Sequence, residues 1–223
     1  MAATRSDDVG EIEPLTEPKL VKALEMVAPG TALREGIDHI LDARSGALLL
    51  IGELDELSFL YSGGIKVDID YSPALLYQLA KMDGAITLNA NATKIAMANV
   101  QLMPDPTILS VETGTRHRTA ERVAKQTDAL VIAISQRREV ISIYLDGVKY
   151  VLADIPAVLA KANQALATLD KYRARLDQVS TRLTALEFEG GGTLHDVLTV
   201  LQRAELVARM AVEIERHIVE LGN

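Results

Sequence analysis

The order of apolar and polar residues changes character at Asp154. Before it, short apolar runs recur at Ala47 to Ile51, Ser58 to Tyr61, Ala85 to Leu88, Lys94 to Val100, Ala129 to Ser135, Val140 to Leu145 and Lys149 to Leu152. Runs of this length bounded by turn residues predict strands, and hence a central sheet. Between them lie segments with apolar residues three and four apart. Leu20, Ala23, Leu24 and Val27 mark one amphipathic helix over Lys19 to Ala28. Leu33, Ile37, Ile40 and Leu41 mark a second over Thr31 to Ala43, with Pro29-Gly30 separating the two. Ser72 to Lys81 predicts a third, with Pro73 at the first position, where its missing N–H costs nothing. Thr115 to Thr127 predicts a fourth.

After Asp154 the runs give way to a seam. Ile155, Val158, Leu159, Ala162, Leu166, Leu169, Tyr172, Leu176, Val179, Leu183 and Leu186 keep three-and-four spacing, the mark of a helix of about 30 residues. Gly190-Gly191-Gly192 breaks it, Thr193 is the expected N-cap of a second helix, and Leu194, Val197, Leu198, Leu201, Val207, Ala211, Ile214, Ile218 and Leu221 continue to Gly222. Strands and helices are mixed without a strict strand–helix–strand repeat. The expected fold is therefore α/β, with a mixed central β-sheet flanked by helices, followed by a long antiparallel α-helical hairpin. The expected organisation is a flexible, acidic N-terminal tail over 1–18, a sheet domain over 19–153 and the hairpin over 154–223. A two-helix hairpin has little interior, so its seams need the sheet domain, further chain or another subunit to cover them.

Composition narrows this picture without redirecting it. An apolar fraction of 48% and a charged fraction of 24% over 223 residues are ordinary for a soluble globular protein with one good core. The chain has no cysteine or tryptophan, which excludes a disulfide framework, a thiolate zinc site and a thiol nucleophile. No apolar run approaches the roughly 20 residues of a membrane span, and Met1 to Lys22 lacks the order of a signal peptide, so a cytoplasmic protein with no membrane association is expected. Net charge is -8, which argues against a general nucleic-acid coat. Its distribution is uneven: from Arg116 to Arg138 there are six basic and two acidic side chains, a local excess of four positive charges.

That excess points to the first chemical candidate. Arg116-His117-Arg118, inside Gly114 to Arg122, sits where a helix is predicted to begin. The macrodipole leaves roughly half a positive charge at a helix N-terminus, so cations there are disfavoured by about 0.3 to 1 kcal/mol each. Backbone N–H groups of a first turn form an anion site, and guanidinium groups match phosphate oxygens two at a time, so phosphate is the simplest partner. On these residues alone, a solvated basic helix start with Glu112 and Glu121 as ion-pair partners remains an equal reading. Asp83-Gly84, between a helix and a strand, reads either as a turn or as a carboxylate that holds a divalent metal or orients a hydroxyl beside phosphates. Ser135-Gln-Arg-Arg138, at a strand terminus where α/β sheets often bind ligands, is either a charged loop or a third contributor. The phosphate loop G-x-x-x-x-G-K-[ST], the dinucleotide fingerprint, H-E-x-x-H and G-x-S-x-G are all missing, and His39, His117, His195 and His217 lack metal-ligand spacing.

Taken together, these residues resemble the diadenylate cyclase domain of the DisA family of DNA integrity scanning proteins. Asp83-Gly84-Ala85 and Arg116-His117-Arg118 are similar to the family's two signature motifs, and Lys81-Met82, Ala98 to Leu102 and Gly114-Thr115 resemble their surroundings. The likeness runs from Val21 to Gly222. It implies condensation of two ATP molecules into cyclic di-AMP with release of two pyrophosphates, using Mg2+ or Mn2+ and no covalent enzyme intermediate. It also implies that two ATP-loaded sites face each other across a subunit interface, in dimers that assemble into an octamer. DNA binding would belong to a C-terminal region outside these 223 residues. Asp83, Gly84, Arg116 and His117 would be catalytic, with Asp83 holding the metal or activating the 3′ hydroxyl and Gly84 leaving room beside the ribose. Thr115, Arg116, His117, Arg118 and Thr119 would contact the triphosphate, with Ser135, Arg137 and Arg138 near the far phosphates and Leu102 against the adenine; Gly114 and Ala85 would also belong to the ATP site. The competing function is a nucleotide-sensing or DNA-associated scaffold that binds without turnover.

Overall fold

The computed structural model describes residues 18–222. Of the tail expected over 1–18, all but Pro18 lies outside the described residues, and Pro18 itself opens helix α1 (Pro18–Met26). Helix α2 (Ala32–Asp42) follows the Pro29-Gly30 turn and is capped by Thr31, whose hydroxyl oxygen accepts from the Arg34 N–H. The strands are β1 (Ala47–Ile51), β2 (Tyr61–Ser62), β3 (Ile65–Asp70), β4 (Ala85–Leu88), β5 (Lys94–Leu102), β6 (Leu130–Ser135), β7 (Val140–Leu145) and β8 (Val148–Val151). Helices α3 (Leu54–Leu57), α4 (Pro73–Leu79) and α5 (Thr115–Gln126) lie among them, and α6 (Ile155–Phe188) and α7 (Leu194–Leu221) follow.

The strands form one mixed sheet in the order β2-β5-β4-β1-β6-β7-β8. Strands β2 and β3 share the outer edge of β5, pairing its last and its first residues respectively. Only β1 and β4 run parallel; every other pair is antiparallel. Strand β1 and all of β6 but Ser135 are buried on both faces, which explains why they read as unbroken apolar runs. Leu49, Ile132 and Ile143 pack toward the face covered by α1, α2 and α4. Leu50, Val131 and Tyr144 pack toward the opposite face, under the small residues Ala120 and Ala124 of α5. The small side chains let α5 sit close to the sheet, and its N-terminus is carried toward the end of β6.

Two departures from the sequence-based expectation lie between β1 and β4. Ser58 to Tyr61, expected as a strand, is a 3-10 turn over Ser58–Leu60 that leads into the two-residue β2. Leu57 and Leu60 are both buried three residues apart, a spacing that winds the chain rather than extending it. Strand β3 was not expected at all. Its Ile65, Val67 and Ile69 alternate, but it is an edge strand with most residues exposed and a register shift between Lys66 and Ile69, where Asp68 takes φ +48°.

The hairpin forms as expected. Gly190, at φ +71°, lets the chain leave α6, and Thr193 and Asp196 cap each other's backbone at the start of α7. Tyr150 on β8 donates to Glu220, which also accepts from Arg216, so the C-terminal end of α7 is fastened to the sheet. Val219 packs on the main core. Much of the remaining seam, including Leu159, Leu166, Leu198 and Leu201, is exposed.

The register decides where the functional candidates meet. Ala47 lies opposite Ile134, and Leu49 opposite Ile86. Ahead of β1 and β4 the chain leaves the ladder, and Gly46 and Asp83 are linked instead by Arg116, which crosses Gly46 to approach Asp83. One edge of the sheet thus holds the start of β1, the start of β4 and the end of β6.

Candidate functional site

The first turn of α5 is built to receive negative charge. Gly114 occupies the N-cap in an extended conformation with no side chain to accept from the free N–H groups, and no acidic residue lies in the turn. A cleft of about 450 Å3 opens there, lined by Glu112 to His117 on one side and Ile134 to Arg138 on the other. It therefore gathers Gly114, Thr115, Arg116, His117, Ser135, Arg137 and Arg138 of the expected site residues.

Arg116 links this cleft to the second motif. Its guanidinium occupies the space over Gly46, where a Cβ would lie 2.4 Å from Nη1. Its Nη2 stands 3.6 Å from Asp83 Oδ1, an ion-pair distance too long for a good hydrogen bond. The Asp83 side chain is 98% exposed, so the pair is weak and both charges stay available. Gly84 has φ +93°, and a Cβ on it would meet the Val100 carbonyl oxygen at 2.8 Å. Glycine is required here by the close approach of β5, a structural demand beside the expected room for a ribose. Ala85 is buried under the α5 face and Leu102 packs half-buried against the same cluster, both outside the cleft wall. Arg118 is exposed, with Nε donating to the Glu112 carbonyl, and Thr119 lies half-buried one turn along α5.

The acids that could have neutralised this helix start are engaged elsewhere. Glu121 accepts from Lys125 Nζ, Ser110 Oγ and the Val111 N–H, which pins the loop between β5 and α5. Arg122 and Lys125 tighten that loop by donating to the carbonyls of Ile108 and Leu109. Glu112 accepts from Lys149 Nζ at 2.6 Å and from Tyr144 Oη at 3.0 Å. Among the described residues neither acid pairs with the side chain of Arg116 or Arg118, so the ion pairs expected of a solvated basic helix start do not form.

Tyr144 and Lys149, which sequence reasoning missed, continue to His117, whose Nδ1 lies 3.0 Å from Tyr144 Oη. Burial favours the protonated form of Glu112, yet the hydrogen bonds from Lys149 and Tyr144 outweigh it and hold its carboxyl below the usual range. Burial lowers the His117 pKa; Glu112 opposes this, while Lys149, Arg138 and Arg116 add to it, so the imidazole titrates below 6.5. Burial first, and then Glu112, raise the Tyr144 phenol, which stays protonated. Gly46 was missed as well: only the path of a side chain seventy positions later gives it meaning. No group of three or more His, Asp or Glu side chains that could hold a metal occurs among the described residues.

Comparison with known proteins bears on this geometry. Residues 34–149 match the family described as DisA bacterial checkpoint controller nucleotide-binding, and residues 152–223 the one described as DisA bacterial checkpoint controller linker region. A DNA integrity scanning protein DisA from Clostridium botulinum is 55% identical over 207 residues, covering 93% of this chain and 59% of that protein. The protein of the same name from Carboxydothermus hydrogenoformans is 56% identical over 209 residues, covering 94% of this chain and 59% of its own length. The chain spans about three-fifths of the length of these relatives. Among solved structures, a double mutant of DacA from Staphylococcus aureus is 26% identical, covering 61% of this chain and 90% of that one, with a TM-score of 0.45.

Two outcomes are expected from the geometry. Gly46→Ala should displace the end of Arg116, and its Cβ would also stand 3.2 Å from the Ile134 carbonyl oxygen, so β6 must give slightly. Calorimetric titration with inorganic triphosphate should then show affinity reduced about tenfold, roughly 1.4 kcal/mol, with melting within a few degrees of wild type; unaltered affinity would refute the placement of Arg116. His117 should titrate below 6.5 in an NMR pH series. Because its folded pKa is depressed, its contribution to stability is present above 6.5 and lost as pH falls from there through the folded value. A midpoint above 6.5 in the free protein would contradict the assigned environment.

Proposed function

The chain belongs to the DisA family, and from that premise we propose that it is a diadenylate cyclase, condensing two ATP molecules into cyclic di-AMP and two pyrophosphates. The observation that carries the proposal is the meeting of an uncapped, arginine-bearing helix start with an exposed carboxylate: Arg116 Nη2 lies 3.6 Å from Asp83 Oδ1. Two motifs 33 positions apart in sequence, counted from Asp83 to Arg116, converge on one sheet edge.

In this reading the triphosphate lies against the first-turn N–H groups of α5, with Thr115, Arg116, His117, Arg118 and Thr119 along it and Ser135, Arg137 and Arg138 toward its far end. Leu102 meets the adenine and Gly84 leaves room beside the ribose, while Ala85, its side chain buried, offers only its backbone. Each ATP presents its 3′ oxygen to the α-phosphorus of the other. A new P–O bond forms, the bond from the α-phosphorus to the bridging oxygen breaks, and the pyrophosphate keeps the electron pair. The 3′ proton leaves toward Asp83 or water. Such a transfer needs alignment and charge neutralisation more than an acid or base, which suits a cleft made of guanidinium groups and backbone dipoles.

A lone exposed carboxylate fits a divalent ion that arrives with its nucleotide, since Mg2+ is commonly held by one or two carboxylates together with phosphates and water. Asp83 is the residue that would hold Mg2+ or Mn2+. When bound, the ion neutralises phosphate charge and makes the hydroxyl more acidic. Two loaded sites must face each other, so the proposed active species is a face-to-face dimer, built further into an octamer, in the cytoplasm. No helix among the described residues is long and apolar enough to cross a membrane. DNA binding is proposed only for a C-terminal region outside this sequence.

Incubation of the oligomeric protein with ATP and Mn2+ should yield cyclic di-AMP by mass spectrometry, with two pyrophosphates per product. Asp83→Asn should lower turnover about a hundredfold or more while changing ATP affinity less than about threefold. ATP bound but unconsumed by the folded, oligomeric protein would sink the proposal and favour the scaffold reading.

A further inference from the structure

We propose that Tyr144 and Glu112 are positioning residues that hold His117 in its Nδ1–H tautomer, so that Nε2 is the nitrogen offered to the triphosphate. The inference rests on the nucleotidyl-transfer reading of the cleft, but its first argument needs only proton counting.

Glu112 Oε1 lies 3.0 Å from Tyr144 Oη and 2.6 Å from Lys149 Nζ. An ionised carboxylate only accepts, and a phenol has one proton. Two oxygen lone pairs facing each other at 3.0 Å would repel, so the Tyr144 proton lies toward Glu112. The phenol oxygen then has only lone pairs for His117 Nδ1, 3.0 Å away on its other side. Nδ1 must therefore carry a proton. In the neutral ring that leaves Nε2 bare, and His117 itself lines the cleft beside Gly114. A bare nitrogen can accept a proton from solvent as phosphate arrives. The imidazolium so formed donates from both sides at once, Nδ1 to Tyr144 and Nε2 to a phosphate oxygen, with the charge of Glu112 two hydrogen bonds behind it.

The sheet makes this relay rigid. Tyr144 is 1% exposed in β7, and Lys149 lies directly opposite it on β8, its ammonium 5.9 Å from the ring centroid. Glu112 is brought in by the loop that Glu121 pins through Ser110 and Val111. The charged and titratable groups that bear on His117 are thus Glu112, Lys149, Arg138, Arg116 and Tyr144. The same relay explains a buried tyrosine hydroxyl and a glutamate of the cleft wall whose carboxylate turns to Lys149 and Tyr144.

Proton counting also yields a test that a merely structural role would not pass. In Glu112→Ala the Tyr144 proton has lost its acceptor and swings to His117 Nδ1, so the tautomer should invert to Nε2–H although the tyrosine is intact. In Tyr144→Phe the ring still fills the core, Nδ1–H loses its acceptor and the Nε2–H form should grow. Long-range 1H–15N spectra of histidine-labelled, nucleotide-free protein at pH 8 read this directly. The wild type should show Nδ1–H, and its Nε2 resonance should move on addition of inorganic triphosphate. Both variants should lose about tenfold or more in kcat/KM for ATP while melting within a few degrees of wild type. Wild-type Nε2–H, an unmoved Nε2 resonance, or unaltered kcat/KM in both variants would overturn the proposal. If the wild type makes no cyclic di-AMP at all, the functional reading fails, and the tautomer and the triphosphate shift still decide the relay by themselves.

Discussion

Strand β1 is paired with β4 in parallel and with β6 antiparallel, and the rest of the site depends on that double register. Because side chains alternate along a strand, a slip of one residue would turn Leu48 and Leu50 to the wrong face and expose or overpack both layers, so the register is held by burial on two sides. Its consequence appears at the sheet edge. Gly46, Asp83 and Ser135, far apart in sequence, become neighbours, and α5, connected to the opposite end of β6, points its N-terminus back at them. No side chain of the cleft has to reach far. Arg116 needs only to cross Gly46 to approach Asp83.

Given this placement, the electrostatics of α5 are a deliberate mismatch with ordinary helix design. A first turn with Arg116, His117 and Arg118, no acid and no capping side chain opposes the macrodipole. The two nearby glutamates form no ion pair with Arg116 or Arg118 among the described residues: Glu121 braces the loop before α5, and Glu112 holds Lys149 and Tyr144 and acts on His117 through Tyr144. An anion in the cleft would relieve this mismatch, which is the physical ground on which a phosphate-bearing ligand is proposed.

Much of this was readable along the chain, for reasons that also mark where reading stops. The apolar runs of β1, β6 and β7 and the seam of α6 and α7 announce themselves because burial on both faces, or along one long stripe, leaves a periodic trace. Strand β3 leaves almost none, since an exposed edge strand with a bulge needs few apolar residues. Arg116 to Arg118 was conspicuous because it broke a helix rule. Gly46 broke no rule, and Tyr144, inside Val140 to Leu145, looks like one more core residue until Lys149 and Glu112 are seen around its hydroxyl. Leu102, named for adenine contact by resemblance, also packs half-buried on the cluster beneath α5, a structural role its position in β5 gives it.

The N-terminus of α5 and the start of β4 should together form one nucleotide site. A structure of the protein with Mn2+ and a non-hydrolysable ATP analogue tests it most directly. Phosphate oxygens are expected about 3 Å from the first-turn N–H groups of α5 and from the Arg116 guanidinium, with Asp83 at the ribose or metal. A nucleotide bound elsewhere, with the cleft beside Gly114 empty of phosphate, would contradict it.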